Sequence, residues 1–483
     1  HALVNMPNII RILIPSCATH HTEEGYFKGY VIHNDHSTTI YITMLCPDYQ
    51  SLCAEKHHNF YAFCGENYPK AKFLKCSNYA TFNKDRTILK QLVLNSQFRP
   101  TSNIILMHYD YSNIRESQTI TGASDGIETL QDIIHKENGL SKTKKEYTPS
   151  LEMPYWLSSS MFLQHFCNYF NLVKWLMDTM KRNKKISIKQ GNLMLAILTD
   201  VILGYILLQL VTQDTKYISS QLINVLEKLI NMLYSLLTWL MGAPVGLKLN
   251  NAFNKMLGKY FSYHVQLWWL FLDTCSTKLD MILNVYHYIG YFGFTFQIAV
   301  ISDMICLATF HSYCIYVYAA RLFNIQISGL TALLRLFVGR KYNPLRGGID
   351  SCEYTNQELF VGTVAFTILL LLLPTTAMYY IVFTVFRVLS LAVQHILAKI
   401  IYMVQTLPLY VSTLWLTGSS KVAGKILIEV EGIKHSPNLL LRVKLFSNSI
   451  FELIETSKPP VEVPKQVEWA NLVSNILTGK QIL

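Results

Sequence analysis

The pattern of apolar and polar positions divides the chain of 483 residues into two textures. Over residues 1–135, apolar and polar residues alternate in short runs separated by turn formers. "NIIRILIPS" (Asn8 to Ser16), "GYVIHNDHSTTIYITML" (Gly29 to Leu45) and "SNIILMHYD" (Ser102 to Asp110) predict strands, the second as a hairpin turning at Asn34 and Asp35. This part is expected to be a soluble region of mixed strands and helices. From Lys136 to Pro154 the chain is polar, rich in turn formers and without periodicity, which predicts a linker. Residues 136–192 as a whole are read as linker and basic juxtamembrane segment.

Downstream the apolar runs lengthen. "MKRNKKISIKQGN" (Met180 to Asn192) precedes "LMLAILTDVILGYILLQLV" (Leu193 to Val211), close to the roughly 20 apolar residues that cross a bilayer core. Leu222 to Met241 holds Glu227 and Lys228 in an apolar pattern and fits either a crossing helix or an interfacial one. Tyr288 to Leu322 predicts one crossing, near Gln297 to Ala320, with an interfacial lead-in. Val361 to Phe386 predicts another, and Val388 to Leu416 is an apolar run interrupted by His395, Lys399 and Pro408. Residues 193–416 are thus a multi-spanning region, with about five crossings expected. Residues 417–483 are expected to form a C-terminal tail that mixes strand-like "KILIEVE" with helix-like "VEWANLVSNIL". The fold class that follows is a polytopic α-helical membrane protein with a mixed α/β soluble N-terminal region.

Composition agrees with that class: 51% hydrophobic and 15% charged residues, with a mean hydropathy of +0.24, exclude an ordinary water-soluble protein. The net charge of +11 would suit nucleic acid, but Lys and Arg cluster beside apolar runs, so a membrane-surface origin is read and no nucleic-acid partner. Arg321, Arg335, Arg340, Lys341 and Arg346 lie between two expected spans, where charge bias holds the loop on the cytosolic side; the basic flank before Leu193 does the same for the N-terminal region. Pro374 falls mid-span. It removes a backbone donor, and the adjacent Thr375 and Thr376 are placed to bond freed backbone groups, which predicts a kink rather than an end.

The ten cysteines include no CxxC. Cys46, Cys53, Cys64 and Cys76 lie near His57 and His58 at spacings that match no zinc ribbon or finger, so no metal site is assigned. No Asn-x-Ser/Thr acceptor occurs, in keeping with a long segment that does not meet the glycosylation machinery. His1 is not expected to be the natural start.

Particular residues add a family. Ile301 to Leu389, through "HSYCIYVYAARLF", "LFVGRKYNPLR", "DSCEY", "GTVAFT" and "LLPTTAMYYIVFT", closely resembles the core of the subunit Q (PIG-Q) family of phosphatidylinositol N-acetylglucosaminyltransferase. "GAPVGLKLN" (Gly242 to Asn250) looks like the family's Gly-x-Pro-Ala-Gly-x-Lys-Leu-Asn element, with Val245 where Ala is usual, which places the family core at residues 242–389. Departures are Gly347 and Gly348, where the family tends to bulkier or basic residues, and Tyr342, where Trp is common. The resemblance implies a subunit of an endoplasmic-reticulum complex that transfers N-acetylglucosamine from its UDP-sugar to phosphatidylinositol, the first step of glycosylphosphatidylinositol anchor synthesis. In that family another subunit carries the glycosyltransferase fold, and subunit Q assembles and stabilises the complex.

No two glutamates stand eight apart, no Asp-x-Asp occurs, and no glycine-rich phosphate loop follows a strand, so neither a catalytic set nor a cofactor is assigned. Asp303, inside an apolar run, reads either as a functional intramembrane acid or as a capped or paired one. His311, eight residues on and roughly on the same helical face, reads as a satisfied core histidine or as its partner in function. Arg335, Arg340, Lys341 and Arg346 are candidates for contact with a lipid headgroup or a partner, topology being the simpler account. Three readings stay open: a noncatalytic subunit that binds a catalytic glycosyltransferase subunit and other membrane subunits alongside phosphatidylinositol and membrane lipid; a direct contributor to the acceptor site or catalysis; and a transporter or scramblase-like protein.

Overall fold

The structure, a computed structural model, describes residues 9–16, 25–34, 37–46, 59–66, 73, 76–100, 104–120, 125–138, 160–182, 186–212, 215–242, 244–246, 250–431, 438–465 and 468–481. The Asp35 end of the expected hairpin turn, most of the linker, Cys53, His57, His58, and Ala243 and Leu247 to Leu249 of the glycine-rich element lie outside them. The chain separates into two units, one of residues 1–148, 176–193 and 408–459, the other of residues 149–175, 194–407 and 460–483.

The first unit is built on a ten-stranded mixed sheet. Its strands are β1 (Ile9–Pro15), β2 (Gly25–Asn34), β3 (Ser37–Cys46), β4 (Phe60–Cys64), β5 (Tyr79–Phe82), β6 (Leu89–Leu94), β7 (Gln97–Phe98) and β8 (Ile104–Tyr109), followed by helices α1 (Tyr111–Glu116) and α2 (Asp125–Glu137). The three runs expected as strands become β1, the β2–β3 hairpin and β8. β1 lies between β3 and β8, parallel to both. Alternation along these central strands sends successive side chains to opposite faces. Ile12, Ile14, Ile40, Ile42, Ile104 and Leu106 build one core; Leu13, Tyr41, Met107 and Tyr109 build another with Ile114 of α1 and Ile127, Leu130 and Ile134 of α2. Both faces are buried, which is why these strands read as nearly continuous apolar runs.

Two more strands complete the sheet from the far end of the chain: β11 (Ala423–Val430) and β12 (Leu439–Ser447). β12 pairs in parallel with β8, Leu439 to Val443 against Ile105 to Tyr109, and β11 closes that edge. Leu440 enters the first core and Val443 the second. The expected tail therefore contributes Ala423–Val430, which holds most of the strand-like "KILIEVE", and Leu439–Ser447 to the sheet, because β8 leaves a parallel edge of apolar residues for β12 to cover.

His108 of β8 is buried and its ring Nε2 lies 2.9 Å from the Arg86 carbonyl; Arg86 in turn donates to the Pro15 carbonyl at 2.8 Å and stacks over Phe27. Burial pushes the His108 pKa below the ordinary 6.5, the Arg86 carbonyl and Glu431 opposing and Arg442 and Arg86 adding to the shift. Because the unfolded chain takes up a proton near pH 6.5 and the folded one only below that, this contribution is intact above pH 6.5 and is lost as pH falls from there toward the folded value. Denaturant melts of the full chain at pH 7.5 and 5.5 are expected to show the sheet unit weakening, by at most about 1.4 kcal/mol per pH unit from this group, and His108→Gln to flatten that slope.

The second unit is helical. In chain order the helices are α3 (Met161–Arg182), α4 (Ile188–Thr212), α5 (Thr215–Met241), α6 (Asn251–Ser276), α7 (Leu279–Gly290), α8 (Phe294–Ala308), α9 (Phe310–Phe337), α10 (Asn356–Gln405), α11 (Leu409–Leu416), α12 (Ile450–Thr456) and α13 (Trp469–Thr478). The end of α3, the start of α4, and α11 and α12 belong to the sheet unit by their contacts. There Asn192 accepts from Val411 N at 3.0 Å and donates to the Ser457 carbonyl at 3.1 Å. A β9–β10 ribbon (Arg340–Asn343 with Gly348–Ser351) joins α9 to α10. The main helical core gathers Leu233 and Leu237 of α5, Phe261 and Val265 of α6, Tyr316 of α9, and Tyr379 and Phe383 of α10.

The helix boundaries depart from the sequence pattern in three places. Residues 161–182, expected as linker and basic flank, form α3, whose Met161 and Phe162 pack against Ile298, Ala299 and Ile401. The crossing expected over Gln297 to Ala320 is divided between α8 and α9 at Thr309, whose hydroxyl bonds back to the Ile305 carbonyl at 2.9 Å. The apolar runs expected over Val361 to Phe386 and Val388 to Leu416 are joined in one helix of 50 residues, about 75 Å long at 1.5 Å per residue, that ends at Gln405 and leaves Leu409 to Leu416 to α11. Arg387, between the two runs, is accommodated within it over the Tyr313 ring at 4.5 Å; the helix ends only as Pro408 approaches. Among the described residues three helices, α4, α9 and α10, are long and apolar enough to cross a membrane, and α8 is a shorter apolar helix. Because the chain leaves one sheet at β8 and returns to it at β12, any set of membrane crossings in between is even in number, unlike the five expected.

Candidate functional site

Polar groups in the helical unit gather where helix ends meet helix sides. Gly293, at φ +144°, turns the chain into α8, and Gly204 of α4 lies so close that an added Cβ would stand 2.5 Å from the Gly293 backbone. That approach brings the buried carboxylate of Asp200 onto the N-terminus of α8. Asp200 accepts from Thr295 N at 2.8 Å and from Thr295 Oγ1 at 2.7 Å, and the same hydroxyl lies 3.0 Å from Nε2 of buried His165 on α3. Gln297 donates to the carbonyls of Gly204 and Gly290 and accepts from the Tyr286 hydroxyl. A carboxylate facing the unsatisfied N–H groups and positive end of a helix needs no cation to balance it. The sequence pattern gave weight to none of these residues. The signal present was Asp200 itself, a lone acid in the apolar run Leu193 to Val211.

Asp303 repeats the device. It accepts from Ser160 Oγ at 2.6 Å, Met161 N at 2.8 Å and Phe162 N at 3.1 Å, so its carboxylate sits on the N-terminus of α3. His311 is not brought to it. The helix break at Thr309 puts the two on different helices, and His311 is buried with its ring stacked 5.8 Å from Trp268, neither ring nitrogen having a hydrogen-bond partner among the described residues. Pro374 lies inside α10, which runs on through it. Thr376 bonds the Leu373 carbonyl at 3.0 Å and Gln326 of α9, while the Thr375 hydroxyl has no partner among the described residues.

Asn254, four residues after the glycine-rich element, ties α6 to the end of α5 by donating to the Leu240 and Met241 carbonyls at 3.0 and 3.2 Å. It also receives the Tyr379 hydroxyl of α10 at 3.0 Å. This closes the helix C-terminus that would otherwise be left with bare carbonyls.

The four basic candidates collect at one end of the α9–α10 pair. Arg335 is in the last turn of α9, Arg340 and Lys341 are on β9, and Arg346 is in the turn of the ribbon. Among the described residues none of the four is in an ion pair. Within the ribbon Lys341 stands opposite Asp350, whose carboxylate accepts from Asn343 Nδ2 at 2.8 Å.

Fold and site thus define a chain of two parts: a mixed-sheet unit, and a helical unit with three helices of membrane-crossing length and composition whose buried acids cap helix ends. The sequence profile of the family described as "N-acetylglucosaminyl transferase component (Gpi1)" matches residues 160–424, more than half of the chain, and the chain belongs to that family. It is 42% identical over 224 residues to the mouse "Phosphatidylinositol N-acetylglucosaminyltransferase subunit Q", covering 46% of this chain and 39% of the relative. The human protein of the same name is 40% identical over 272 residues, 56% of this chain and 35% of the relative. The fission yeast "N-acetylglucosaminyl-phosphatidylinositol biosynthetic protein gpi1" is 30% identical over 232 residues, 48% of this chain and 36% of the relative. The matches to these relatives thus span between 35% and 39% of their length. No solved structure matches the chain significantly.

Proposed function

We propose that this chain is a noncatalytic membrane subunit of the complex that transfers N-acetylglucosamine from UDP-N-acetylglucosamine to phosphatidylinositol, the first step of glycosylphosphatidylinositol anchor synthesis. Its role is to hold that complex together in the endoplasmic-reticulum membrane. The family match over residues 160–424 carries the reading, since it covers the helices that would lie in the membrane and assemble there. The buried acids support it: Asp200 and Asp303 are both committed to helix N-termini, a structural use of a carboxylate. So do the exposed faces. Leu198, Val201, Ile202, Tyr205 and Ile206 form an uncovered apolar stripe on α4, a surface that belongs in lipid or against partner helices. In this reading α4, α9 and α10 enter the bilayer, the basic flank of α4 keeps the sheet unit cytosolic, and the partners are a glycosyltransferase-fold catalytic subunit and further membrane subunits.

Affinity purification of the full chain from mild detergent tests this. A glycosyltransferase-fold protein is expected in stoichiometric amount, with sugar transfer to phosphatidylinositol by the purified assembly and none by the chain alone. Transfer by the lone chain would overturn the noncatalytic role, and its recovery without any glycosyltransferase would overturn the subunit role.

A further inference from the structure

The β9–β10 ribbon shows an unusual surface for a segment in water. Leu345, at its tip, is 96% exposed; Tyr342 and Ile349, directly paired across the two strands, are 52% and 50% exposed on one face. The presentation is built rather than slack. Asn343 Oδ1 accepts from Leu345 N at 3.0 Å, Pro344 restricts the backbone between them, and Gly347 takes the positive φ of 63° that closes the turn. Arg340 shares the face of Tyr342, Arg346 follows Leu345, and Lys341 lies on the other face of β9. Apolar side chains at a tip with cations around them are what a headgroup boundary accepts: hydrocarbon below, phosphate above. The flanking helix ends continue the surface, with Val338 after α9 and Phe360 and Val361 in the first turns of α10 exposed.

We infer that this ribbon is an anchor for anionic phospholipid, Leu345 and Tyr342 entering the bilayer boundary while Arg340, Lys341 and Arg346 bind the headgroup phosphates. The inference rests on the proposal that α9 and α10 enter a bilayer; it adds that the connection between them grips lipid of negative charge, rather than a protein. A phosphatidylinositol headgroup, with its anionic phosphodiester, is the chemistry that Arg340, Lys341 and Arg346 around an apolar tip fit, none of them in an ion pair among the described residues.

The test uses the full chain in nanodiscs holding phosphatidylcholine and phosphatidylinositol in equal amounts, with a diazirine amino acid in place of Leu345 or, separately, of Ile368 in α10. Light-induced adducts are read by mass spectrometry. At position 345, phosphatidylinositol adducts are expected to exceed phosphatidylcholine adducts by at least about fivefold, and R340E/K341E to bring the ratio near unity while adducts at position 368 stay unchanged. Equal labelling of the two lipids in the parent chain, adducts chiefly to a co-purified protein, or no adduct at 345 while 368 reacts with lipid would each overturn the anchor alone. Absence of lipid adducts at 368 would overturn the membrane reading and the anchor with it.

Discussion

Asp200→Ala is expected to lower the stability of the helical unit by about 3 kcal/mol, among the largest effects open to a single side chain that touches no apolar core. The substitution takes the acceptor from Thr295 N and Thr295 Oγ1, both buried. Each orphaned group costs about 1–3 kcal/mol, and the positive end of α8 loses its facing charge. His165 loses a rigid partner at the same stroke, because the Thr295 hydroxyl that it bonds is oriented by the carboxylate. Thermal unfolding of the detergent-solubilised chain, followed by intrinsic fluorescence, gives the measurement. Asp200→Asn, which keeps one acceptor oxygen, should fall between parent and Ala. A change below about 0.5 kcal/mol for Asp200→Ala would mean that the cap contributes nothing.

Leu440→Asp should unfold the sheet unit outright, while Leu439→Asp, one residue away, should leave it intact. Leu440 is 1% exposed among Ile12, Ile104 and Leu106, whereas Leu439 is 48% exposed on the same strand. An aspartate in the first position places an unpaired charge in the core and costs more than about 4 kcal/mol; in the second it meets solvent. Limited proteolysis with mass spectrometry reads the result as new cleavage within residues 25–137, some three hundred positions from the substitution. Resistance of those residues in Leu440→Asp would show that the N-terminal strands fold without β12.

How much was legible in the sequence follows from the range of the interactions. The strands β1, β2, β3 and β8 and the helix α4 carry local signals, alternation or an unbroken apolar run, and were found within a few residues. β4 to β7 are short and flanked by turns, with too few residues to establish a period, and were not. The run Val361 to Phe386 and the run that begins at Val388 read separately along the chain, whereas the ring of Tyr313 that accepts the Arg387 guanidinium between them comes from another helix and is not encoded there. Of the named site residues, the basic set kept together because its members are neighbours in sequence. Asp303 and His311, judged by helical spacing, came apart at Thr309.

The membrane-like texture of residues 193–416, the basic connections and the family resemblance in Ile301 to Leu389 were properties of the linear chain, since each depends on composition or residue order within one segment. The closure of the N-terminal sheet by β12 and the capping of α8 by Asp200 and α3 by Asp303 were decided in three dimensions. Each of these joins backbone groups left unsatisfied at a sheet edge or helix end to a partner between 95 and more than 300 residues away, and no periodicity encodes a partner at that distance.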